Sequence, residues 1–151
     1  MKAIACLLAT FALTACAAVT TPPIATAAPA VRAASELPGP FKELQGVWVV
    51  KSAQRGSRPM PDKTGVKAHI EGNRFWFEGD PGHEVLDLDT SAAPFRMDFW
   101  DGGTAVQGVY RIEGNTLFVC SAPPDVARPA GFDPRADSRY ILMVAERATG
   151  N

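Results

Sequence analysis

The sequence predicts an all-β fold, a small eight-stranded antiparallel barrel, and three observations carry that prediction. After Gly39 no window of a dozen residues holds an apolar stripe at helical spacing. Short runs rich in β-branched and aromatic residues recur instead between clusters of Gly, Pro, Asn and Asp. Apolar and polar residues alternate within several of these runs, so each such strand has one face to bury. Closing sequential, hairpin-linked strands of this kind into an up-and-down barrel buries that face and removes the sheet edges. A two-sheet sandwich is the alternative consistent with the same pattern.

The elements follow in order. Met1-Lys2 is a minimal positive start, Ala3 to Leu13 is apolar and uncharged, and small residues follow, which is signal-peptide anatomy over residues 1–15. Ala3 to Thr21 is uncharged over almost the ~20 residues that span a bilayer, so an uncleaved anchor is the competing reading. Leu13-Thr14-Ala15-Cys16 resembles the lipobox of bacterial lipoproteins. That resemblance implies cleavage before Cys16, a lipidated Cys16 at the mature N-terminus, and anchoring to the membrane of the bacterial cell envelope by more than one acyl chain. Ala17 rather than Asp follows the cysteine, which by similarity to enterobacterial sorting favours the outer membrane, facing the periplasm.

Residues 16–38 contain Pro22, Pro23, Pro29 and Pro38, no Gly, and only Arg32 and Glu36 as charges, so they read as a disordered, polyproline-like tether. Residues 39–151 suffice for one small domain with a single core and exclude a multi-domain enzyme. Strands are expected near Val47 to Ala53, Val66 to Glu71, Arg74 to Glu78, Glu84 to Leu88, Phe95 to Trp100, Val106 to Ile112, Thr116 to Cys120 and Tyr140 to Glu146. Gly72-Asn73 and Gly114-Asn115, each after Ile-Glu, supply two-residue turns, and Asp80-Pro81-Gly82 and Asp101-Gly102-Gly103 supply others. Alternation sets Ala68 and Ile70 against His69, Met97 and Phe99 against Trp100, and Leu142 and Val144 against Ile141 and Met143.

Gly46-Val47-Trp48 matches the Gly-x-Trp mark at the start of lipocalins, whose Trp closes the barrel floor under an Arg near the last strand. By that resemblance Gly46, Trp48 and Arg147 are the barrel-closing set. Leu44-Gln45-Gly46, Ser52-Ala53-Gln54-Arg55, Pro59-Met60-Pro61-Asp62, Asp98, Gly108-Val109-Tyr110-Arg111-Ile112, Asn115-Thr116-Leu117, Cys120, Arg128-Pro129 and Phe132 together resemble an uncharacterised lipocalin-like domain family numerous in planctomycetes. Glu113-Gly114-Asn115 departs from the Asp-Gly-Asp frequent there, which changes a turn and not a site. The resemblance implies a fold and carries no activity.

Side-chain chemistry points away from catalysis. Fifteen Lys and Arg against sixteen Asp and Glu leave a net charge of −1, with no excess for neutralising phosphates, so nucleic acid is excluded as a partner. Cys6 falls in the signal and Cys16 takes lipid, so Cys120 has no intramolecular partner and reads as buried in a strand. His69 and His83 stand in no metal-ligand spacing and read as exposed or locally hydrogen-bonded. Asp80, Glu84, Asp87 and Asp89 read as a solvated acidic rim, with Glu84 on the opposite face from the last two. Ser52, Ser57, Ser91, Ser121 and Ser138 occupy no nucleophile elbow. No cofactor is implied.

The aromatic set is richer. Trp48, Tyr110, Phe75, Phe77 and Phe99 are the candidate wall of a small apolar pocket, against the competing reading of a filled interior. Ala122 to Ser138 is a long irregular segment that Phe132 is expected to hold against one barrel end, as a lid, a passive plug or a contact for an envelope protein such as a hydrolase. The expected function is therefore uptake of a small apolar ligand without catalysis, the alternative being a protein-interaction or inhibitor module acting through residues 122–138.

Overall fold

The structure, a computed structural model, describes residues 27–149. The expected signal peptide, Cys16 and the first part of the tether lie outside the described residues. Nine antiparallel strands form one sheet: β1 (Gly46–Arg55), β2 (Arg58–Pro59), β3 (Lys67–Glu71), β4 (Arg74–Phe77), β5 (Glu84–Asp89), β6 (Phe95–Asp101), β7 (Thr104–Glu113), β8 (Thr116–Ala122) and β9 (Ile141–Arg147). Neighbours in the chain pair in turn from β3 to β9, β1 pairs with β3, and β9 returns to β1 from Trp48↔Arg147 to Arg55↔Ile141. The eight expected strands thus close into an antiparallel barrel, and the sandwich alternative falls. The ninth, β2, is a two-residue appendage that folds back on the end of β1.

Lys51 is an extra residue between the pairs Val50↔Ala145 and Ser52↔Val144. This bulge resets the alternation of β1, so Val50 and Ala53, three positions apart, both turn into the barrel. The core is continuous from Leu37, Phe41 and Leu44 through Trp48, Ile70, Leu86, Met97, Tyr110 and Leu117 to Ala145.

One end of the barrel is a closed floor. Pro40 sits in the first turn of the short helix α1 (Gly39–Leu44), where its missing N–H costs nothing, and Phe41 and Leu44 point inward from it. Gln45 ties this helix to the β3–β4 turn: its Nε2 donates to Phe41 O (2.8 Å) and Gly72 O (2.9 Å), and its Oε1 accepts from Gly72 N (2.7 Å).

The tether expectation changes where its end is described. Leu37 is buried in the core, and Asn73, itself 2% exposed, clamps the chain before it. Asn73 Nδ2 donates to Ala30 O (2.9 Å), its Oδ1 accepts from Arg32 N (2.7 Å), and its N–H donates to Arg32 O (3.3 Å). Gly72 makes the contact possible, because its φ is +63° and a Cβ there would sit 2.1 Å from Arg32 O. Residues 30–37 are thereby docked on the barrel, a consequence of one buried amide that composition alone does not reveal.

The long segment between β8 and β9 runs along the outer wall. Arg128 makes a bidentate ion pair with Asp98 and donates from Nη1 to Gly108 O (2.7 Å). Arg111 lies between two rings, 4.5 Å from the centroid of Phe118 and 4.6 Å from that of Phe132. Phe132 therefore anchors the segment on the outside of the barrel and not against its end. Val109 and Cys120, which alternate to the outer face, are nonetheless buried, as is Val126 of this strap.

Candidate binding cavity

The end of the barrel opposite α1 holds a cavity of about 250 Å³. Its wall is built from inward-facing positions of seven strands: Val50 and Ala53 of β1, Phe75 and Phe77 of β4, Glu84 of β5, Phe99 of β6, Val106 of β7, Val119 and Ser121 of β8, and Ile141 and Met143 of β9. Phe75 packs edge-on against both Phe77 and Phe99, with centroids 5.0 and 5.1 Å apart, so the rings hold one another in place. Met60 and Lys63, from the turn after β2, complete the lining. No residue of the strap lines the cavity, so the segment expected as a lid does not cover it.

Three of the five expected pocket aromatics, Phe75, Phe77 and Phe99, line this cavity, whereas Trp48 and Tyr110 do not. Trp48 is fully buried in the floor, where its Nε1 donates to Leu44 O (2.8 Å) and the Arg147 guanidinium lies 4.3 Å from its ring centroid. Arg147 also donates to Gln45 O (2.6 Å) and Glu43 O (2.5 Å). Gly46 has φ +110°, and a Cβ there would approach Arg147 Nη1 to 3.5 Å. The expected barrel-closing residues Gly46, Trp48 and Arg147 therefore do meet. Tyr110 belongs to the same end: it is 4% exposed, its ring lies 5.9 Å from that of Phe95, and burial with the nearby Glu43 carboxylate pushes its hydroxyl up to about 12.

Glu84 is the acidic group of the cavity wall. It was expected as part of a solvated rim, but in β5 it shares its face with Leu86 and Leu88, which are core residues. That alternation was the available signal. Burial raises its carboxyl above the usual range, and the charges of Asp101 and Asp80 raise it further. A second, smaller pocket of about 120 Å³ abuts the cavity and shares Phe75, Phe77 and Glu84 with it; Asp80, His83 and Asp101 also line it.

Both histidines flank the outward-facing Trp76. His69 stacks on it at 5.1 Å with planes 8° apart, and the His83 ring lies 4.8 Å away. Neither lines the main cavity, whose one serine is Ser121. Among the described residues no group of three or more His, Cys, Asp or Glu could hold a metal ion, and no helix is long and apolar enough to cross a membrane. Cys120 is fully buried and its thiol is pushed up to about 11, chiefly by burial and secondarily by Asp133.

Comparison with protein-family models, curated proteins and solved structures found no match. What defines this molecule is a closed eight-stranded barrel with a sealed floor and an apolar cavity at the other end.

Proposed function

We propose that this is a lipid-anchored cell-envelope protein of the lipocalin-like kind whose barrel takes up a small apolar ligand and catalyses no reaction. The observation that carries the binding reading is the cavity itself: about 250 Å³, walled by three phenylalanines and aliphatic side chains. That volume lies just below the range typical of drug-sized ligand sites, which suits a small molecule. Anchoring rests on Leu13-Thr14-Ala15-Cys16, and the lipocalin-like kinship on Gly46-x-Trp48 with Arg147. An outer-membrane destination follows from Ala17 by the same resemblance.

Native mass spectrometry on protein purified gently from its own envelope tests the binding reading. A small added mass that denaturation releases, and that Val106→Phe abolishes by filling the cavity, is the expected result. A bare mass, together with no uptake of an apolar fluorophore by the folded protein, would overturn it. Anchoring is tested on the same sample: acyl mass at the N-terminus, absent in Cys16→Ser, is expected, and an unmodified Cys16 in the wild type would refute it.

A further inference from the structure

We infer that the ligand is an amphiphile with a cationic amine, its apolar body inside the barrel and its ammonium at Glu84. The inference rests on the binding reading above and deepens it. An apolar cavity with a single carboxylate in its wall is chemically asymmetric, and the position of that carboxylate says which end of a ligand meets it. The Glu84 carboxylate makes no hydrogen bond or ion pair among the described residues, although Phe75 pairs with Glu84 on the neighbouring strand and Leu86 follows on the same face.

The surrounding charges make the absence of a counterion more costly. Asp80 and Asp101 line the adjoining pocket together with Glu84 and form no ion pair among the described residues either. Like charges around a half-buried carboxylate raise its free energy, so an arriving cation relieves both the repulsion and the lost hydration. An anionic head would add a further negative charge to the same place. Lys63, at the other edge of the cavity, already lies 3.7 Å from Asp62, with both groups largely in solvent, so its pull on an anion is mostly screened. His83 shares the adjoining pocket and is the remaining titratable group near the head position.

The test is displacement of N-phenylnaphthylamine, a neutral fluorophore, by decylamine, decanol and decanoate from the chain beginning at Ala17, which contains every described residue. Decylamine is expected to displace the probe at about one tenth the concentration the other two require, the factor that one charge-assisted hydrogen bond supplies. Glu84→Gln should bring amine and alcohol to the same midpoint. Equal midpoints for amine and alcohol in the wild type, or decanoate displacing best, would overturn the inference and leave the binding reading standing. A folded wild type that takes up no probe overturns both. Should Glu84→Gln not fold, Asp101→Asn serves, with a weakened preference for decylamine expected and an unchanged one counting against the inference.

Discussion

Arg147, the last residue of β9, lies over Trp48 near the start of β1, 4.3 Å from its ring centroid, so the first and last strands of the barrel meet at its floor. The guanidinium simultaneously donates to the carbonyls of Gln45 and Glu43, which would otherwise be orphaned at the C-terminal end of α1. Barrel closure and helix docking therefore share one side chain. Removing it by Arg147→Met should lower unfolding free energy by about 2 kcal/mol, from the ring contact and the charge-assisted bonds together. Arg147→Lys should recover less than half of that, because an ammonium lacks the planar fork that reaches two carbonyls while stacking. Urea unfolding measures both, and a Lys variant equal to wild type would show that charge alone suffices.

Asn73 docks the N-terminal segment through three hydrogen bonds to Ala30 and Arg32. Asn73→Ala keeps the backbone bond to Arg32 O but leaves Ala30 O and the Arg32 N–H without their side-chain partner, and should cost about 1–3 kcal/mol. The diagnostic readout is local: trypsin should cut after Arg32 faster in the variant than in the wild type, while the barrel stays resistant. Equal cleavage rates would mean that Leu37, and not the amide, holds the segment.

How much of this was legible in the sequence depends on the length scale of each signal. All eight barrel strands show in the sequence because each is a run of β-branched or aromatic residues bounded by turn chemistry, and turn-linked order leaves few ways to close them. The helix α1 escapes notice, since six residues offer only Phe41 and Leu44 as a stripe, and β2 contains too few residues to alternate. Within the site, alternation identifies which residues face inward, and so finds Phe75, Phe77 and Phe99. It does not say at what height along the barrel each one stands, a matter of register and shear. Trp48 and Tyr110 face inward as expected but stand in the floor. Glu84 is the converse case, a charged residue that a face assignment alone would have placed inside.

Cys120 should be inert in the native protein for two reasons that can be separated. It is fully buried, and its thiol is pushed up to about 11, so thiolate is scarce near neutral pH. In a chain with Cys6 and Cys16 changed to serine, modification by a disulfide reagent should be slow and should accelerate on denaturation. Releasing the strap with Arg128→Ala, which breaks the bidentate pair to Asp98, should raise the native rate at least several-fold. A rate unchanged by Arg128→Ala would show that Cys120 is protected by the strands themselves.

Alkaline pH should destabilise the fold before either buried group ionises within it. Cys120 and Tyr110 carry pKa values raised to about 11 and about 12 from ordinary values of 9.0 and 10.0. Both are acids whose neutral form the fold favours, so the unfolded chain releases its protons first as pH rises. Unfolded protein then binds fewer protons than native protein, and stability must fall with pH. The contribution is fully present below pH 9.0 and declines between there and about 12, by at most about 1.4 kcal/mol per pH unit for each group while it is ionised only in the unfolded chain. Urea midpoints measured from pH 8 upward should therefore hold to about pH 9 and then drop, and Cys120→Ala should remove the earlier part of the slope while Tyr110→Phe removes the later part. A midpoint that stays flat through pH 11 in the wild type would mean that neither hydroxyl nor thiol is held in its neutral form by the fold.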